Sequence, residues 1–107
     1  MALQGYHPRK QERMTFPKNV KIGFRNYKIN RIEPSSKLNN DILFGEIAFV
    51  TNEININSQF DEDEQKETLI HEILHGIDHM YKLDLDEDVV SRLSVAIYTV
   101  LKDNKWL

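Results

Sequence analysis

The apolar residues of this chain change their rhythm near residue 60. Before it, hydrophobic and polar positions alternate. Val20, Ile22 and Phe24 are separated by polar neighbours, and the alternation resumes after Arg25-Asn26 at Tyr27 and Ile29. A period of two predicts strands, here a hairpin turning at Arg25-Asn26. Glu33 to Asp41 is a loop by composition. Ile42 to Val50, the pair Thr51-Asn52 and the short run Glu53 to Asn57 predict a second hairpin. In its last strand Ile54 and Ile56 share one face, which suits burial, and Asn55 and Asn57 share the other, which suits an open side.

After residue 60 the apolar spacing becomes three and four. Ile70, Ile73, Leu74, Ile77 and Tyr81 form one helical stripe. Asp61 with Glu64 three residues on resembles a capping box, and acids crowd the first turn where the helix dipole favours them. Leu83-Asp84-Leu85 interrupts the pattern. Asp86 is a good N-cap for a second helix, with Val89, Val90, Leu93, Ile97, Val100 and Leu101 as its expected buried face. The predicted class is α+β: a small antiparallel sheet of four strands, made of two hairpins, followed by two packed helices.

A length of 107 residues suits one modest core. Residues 1–18 read as a flexible basic tail and residues 19–107 as a single domain. Met1 to Arg13 has no apolar stretch of a secretory leader, and no run approaches the ~20 apolar residues of a membrane span. A cytoplasmic location is expected. Charge is segregated: residues 1–40 hold nine Lys and Arg against two acids, and residues 41–107 hold five against fifteen. The basic half contains no recognisable nucleic-acid motif, so a basic sheet beside acidic helices is the preferred explanation. Deleting residues 1–18 would test the nucleic-acid alternative. There is no cysteine, which leaves His, Asp and Glu as metal ligands.

Three of the four histidines fall within His71-Glu72-Ile73-Leu74-His75-Gly76-Ile77-Asp78-His79. On a helix, His71 and His75 lie on one face about 6 Å apart along the axis, where both imidazoles can reach one metal ion. Glu72 borders that face and is placed to act as a base. Catalytic zinc usually takes three protein ligands. His79 lies about 9 Å further along the axis than the ion would, and Asp78 is awkwardly placed. The first turn of the second helix offers Glu87, with Asp88 beside it.

The strand carrying Ile54-Asn55-Ile56, the helix with His71-Glu72-Ile73-Leu74-His75 and the following helix with its acid together resemble the zincin metallopeptidases. The match is closest to the gluzincin-like arrangement, with small phage and mobile-element domains and the ImmA/IrrE-like peptidases similar in style. It spans roughly residues 19–104. The metzincin pattern is not met, since His79 comes too early. The resemblance implies Zn²⁺ held by His71, His75 and Glu87, with Glu72 as general base for hydrolysis of a protein or peptide. Tyr81, Tyr98, His79 and Arg92 are candidates for oxyanion stabilisation. The strand Glu53–Asn57 is expected at the sheet edge, pairing with an extended substrate. A metal-binding regulatory module with little or no catalysis is the other function compatible with these residues.

Overall fold

The computed structural model describes residues 15–33 and 44–107. Four strands precede two helices: β1 Asn19–Ile22, β2 Arg25–Ile32, β3 Gly45–Ala48, β4 Glu53–Asn57, α1 Glu62–Tyr81 and α2 Glu87–Asp103. The α+β class, the four strands and the two helices are as predicted. The sheet is mixed, with order β1-β2-β4-β3. β1 pairs antiparallel with β2 and β3 antiparallel with β4, as two hairpins require, but the hairpins join through a parallel β2–β4 ladder that sets Ile29 against Ile54. The connection after β2 carries the chain to the far edge, and the return strand β4 fills the gap beside β2.

That order overturns one expectation. β4 is central, and the edges are β1 and β3. Ile54, Asn55, Ile56 and Asn57 are all buried, so the asparagines do not form an open face. They are satisfied by other side chains and by backbone. Asn30 donates to Oδ1 of Asn55 at 2.9 Å, and Asn55 donates to Glu46 at 2.9 Å, which makes a polar ladder across three strands. Asn57 accepts from the backbone N–H of Gln59. Buried amides paired in this way cost little, whereas a slip in register would leave them unpaired.

The first turn falls at Gly23-Phe24, two residues earlier than the alternation suggested. Phe24 is consequently exposed. Arg25 begins β2 and donates to the carbonyl of Phe49 and to Oδ1 of Asn52, tying the first hairpin to the turn of the second. Residues 1–14, most of the expected tail, lie outside the described residues. Phe16 packs against the core with Arg31 over its ring, and the carbonyl of Lys18 accepts from Ile29.

The core lies between the sheet and α1. Ile22, Tyr27, Ile29, Ile54, Ile56 and Leu69 form its buried centre, with Ile47, Ile73 and Ile77 around them. The helix comes close enough that a Cβ at Gly76 would meet Cδ1 of Ile22 at 2.6 Å. Side chains of this size, fully buried, contribute about 1.5–3 kcal/mol each before entropy is counted. Asp61 caps α1 by accepting from the N–H of Glu64 at 2.8 Å, and Asp86 caps α2 by accepting from Val89 at 2.9 Å. Between them Lys82 and Asp84 adopt left-handed φ values, and Asp78 accepts from the N–H of Leu85. That bond sets the reversal that brings α2 back along α1.

Among the described elements, α2 packs on α1 and on no strand. Only a narrow stripe faces inward: Val90 and Ser94 are buried, and Ile97 and Leu101 are partly covered. Leu93 and Val100, expected in the buried face, are exposed, as is Tyr81 at the end of α1. A helix with a single neighbour buries one seam rather than a broad face. Among the described residues no helix is long and apolar enough to cross a membrane.

Candidate metal centre

α1 runs unbroken through the histidine cluster, so His71 and His75 stand one turn apart on the same face. Their Nε2 atoms are 3.2 Å apart. Glu87, the first residue of α2, lies opposite with one carboxylate oxygen 2.9 Å from Nε2 of His71 and the other 2.9 Å from Nε2 of His75. Ser91, one turn on, donates to the Glu87 oxygen that faces His71 and steadies the carboxylate. These three side chains offer two nitrogens and an oxygen within 4.8 Å of one another, a group that could hold a metal ion.

The donor set can be checked against coordination chemistry. Two nitrogens each about 2.0–2.1 Å from one ion at a tetrahedral angle lie ~3.3 Å apart, and the two Nε2 atoms match that span. The oxygen contacts at 2.9 Å are slightly tighter, as suits direct hydrogen bonds. Both histidines are partly covered, whereas the Glu87 side chain is 65% exposed. The site therefore has a walled side formed by α1 and an open side at Glu87.

The other acids and the third histidine of the region are engaged elsewhere. His79 stacks on Phe49 with ring centroids 4.0 Å apart. Asp78 holds the interhelical turn. Asp88 pairs with Arg92 on the outer surface of α2.

Glu72 is 8% exposed. Burial, followed by the Glu87 and Glu46 carboxylates, raises its pKa from the ordinary value near 4.5 to about 7. A carboxyl so tuned exchanges a proton near neutrality, as a general base or acid must. It opens, with His71, His75 and Glu87, on a cleft of about 620 Å³. α1 supplies Glu64, Glu67 and Thr68 to the walls, α2 supplies Ser91 and Val95, and Phe44 and Gly45 close the third side. None of Tyr81, Tyr98, His79 or Arg92 lines it.

The strand beside the cleft is β3. Phe44 accepts from the N–H of Asn57. The alternation of an antiparallel ladder therefore turns the backbone groups of Gly45 and Ile47 away from β4, toward the edge of the sheet as formed by the described strands.

Two residues escaped the sequence. Ser94 has no exposed surface and Glu67 is half-buried. The Ser94 hydroxyl donates to Glu67 at 2.9 Å and lies 3.5 Å from Nδ1 of His71. A serine in the middle of an apolar helix stripe is the one signal that pointed there.

Comparison with protein families, curated proteins and solved structures gives no match to this chain.

Proposed function

We propose that this chain is a zinc-dependent metallopeptidase of the zincin type, with His71, His75 and Glu87 as ligands and Glu72 as general base. The observation that carries the reading is the bridging position of Glu87, which meets both imidazoles from a separate helix. Two histidines one turn apart are unremarkable alone; a third donor arriving from another element suits a single ion. The donor set of two imidazoles and one carboxylate is that of a hydrolytic zinc site with an open position.

A zinc ion held there supplies Lewis acidity toward water and toward the substrate carbonyl. Glu72 would take the proton of the attacking water and return it to the leaving amine. An extended peptide pairs with the outward groups of Gly45 and Ile47, adding a strand to the edge nearest the site. β3 takes the role first expected of Glu53–Asn57.

The test is direct. Zinc-loaded protein is incubated with a denatured protein, and the fragments are identified by mass spectrometry. New peptide ends that appear with zinc and vanish with a chelator support the reading. Tight zinc binding with no cleavage of any substrate favours the second reading, a metal-binding interaction module. One feature supports that alternative: among the described residues, those lining the cleft include no Tyr, Lys or Arg to steady a developing oxyanion.

A further inference from the structure

A metal-ligating histidine binds through one ring nitrogen and needs a partner for the other, because that partner fixes both tautomer and ring angle. Nε2 of His71 points at Glu87 and His75. If Nε2 is the ligand atom, Nδ1 carries the proton, and Ser94 Oγ lies 3.5 Å from it, at the long end for such a bond. The same hydroxyl is 2.9 Å from a Glu67 carboxylate oxygen and 2.9 Å from the carbonyl of Ser91. It has one proton to give. The carboxylate is the stronger acceptor, so the hydroxyl donates to Glu67 and its lone pair is left for His71.

We propose that Ser94 is the positioning residue of the metal site. Its buried hydroxyl, anchored by Glu67, accepts from Nδ1 of His71 and holds that ring with Nε2 facing Glu87 and His75. The chain Glu67, Ser94, His71 crosses the interface between α1 and α2. Glu67 precedes His71 by one helical turn and so shares its face, while Ser94 comes from the opposite helix. The arrangement also carries negative charge toward the imidazole, which makes Nε2 a better donor to a cation. Ser94 touches neither the cleft nor any reacting atom. Its effect passes through His71.

This inference rests on the metal site of the preceding section but not on peptidase activity, and its test reads metal affinity. Zinc dissociation constants are measured by chelator competition for the wild type, Ser94→Ala, Glu67→Ala and the double variant, with the His71 tautomer read by ¹⁵N NMR. Ser94→Ala is expected to weaken zinc binding about 10- to 100-fold and to lose the single Nδ1–H tautomer at His71. Adding Glu67→Ala to it should change little further, because the two residues act in one chain. If Ser94→Ala does not fold, Glu67→Gln at its half-buried position carries the test, with an expected loss of about 10-fold. Affinity within twofold of wild type in the folded Ser94→Ala protein overturns the inference and leaves the metal site standing. Fully additive losses overturn the chain from Glu67. Failure of the wild type to take up zinc overturns the site and the inference together.

Discussion

The Nε2 atoms of His71 and His75 face each other at 3.2 Å, near the ~3.3 Å that separates two nitrogens sharing one tetrahedral ion. Glu87 places one carboxylate oxygen 2.9 Å from each Nε2, which completes a group that could hold a metal ion. Purified protein is expected to hold one zinc per chain by elemental analysis. His75→Ala and Glu87→Ala should each weaken zinc binding by more than about 100-fold, beyond what loss of an outer partner costs. Both variants should keep the wild-type circular dichroism spectrum. Unchanged zinc content in either variant removes that residue from the site.

On the proposed mechanism, Glu72 separates binding from chemistry. Glu72→Gln keeps the size and burial of the side chain but removes the base. It should retain zinc and lower the rate of peptide cleavage by about 10²- to 10⁴-fold. A discontinuous assay on a denatured protein, run at matched zinc occupancy, decides this. Equal rates would take the proton-transfer role from Glu72.

The same carboxyl should leave a mark on stability. Its folded pKa of about 7 exceeds the ordinary value near 4.5. Between these values the folded chain holds more protons than the unfolded one, so stability falls as pH rises through that window. Below about 4.5 both states are protonated, and above about 7 the penalty is complete. In zinc-stripped protein the difference amounts to no more than about 3–4 kcal/mol. Urea denaturation at pH 5, 6, 7 and 8 should show Glu72→Gln gaining on the wild type as pH rises. A constant gap between the two curves would contradict the assignment.

Gly45 joins the sheet edge to the helix that bears the histidines. A Cβ there would lie 2.8 Å from the carbonyl oxygen of Asn55 and 2.8 Å from Cγ2 of Thr68. The first obstacle is backbone and cannot swing aside. Gly45→Ala should therefore destabilise by about 1–3 kcal/mol, a loss visible as a lower urea midpoint. A midpoint equal to or above wild type would mean that β3 moves freely against α1.

What could be read from the sequence follows the range of the forces involved. The helices were legible because Asp61 and Asp86 cap them locally. The relation of His71 to His75 depends only on helical rise, and Glu87 follows from a short turn between two helices. The sheet order was not legible. Hairpins are local, but nothing between residues 33 and 44 announces that β4 pairs parallel with β2. Asn55 and Asn57 misled because an alternating Ile-Asn strand looks half-open, whereas Asn30 and Glu46 satisfy Asn55 inside the sheet. Leu93 and Val100 misled for the opposite reason. Their spacing fits a buried face, but among the described elements α2 has no second neighbour to bury it against.

With the proposed ion in place, occupancy of the site and docking of α2 would be linked, because the seam with α1 is the one contact α2 makes among the described elements. Two donors stand on α1 and the third on α2, so an ion gripped by all three acts as a tie between helices otherwise joined by a narrow stripe and a short turn. By linkage, every tenfold of zinc concentration above the dissociation constant adds about 1.4 kcal/mol to the closed arrangement. The segment from Glu87 onward would then work as a clasp that metal fastens and scarcity loosens.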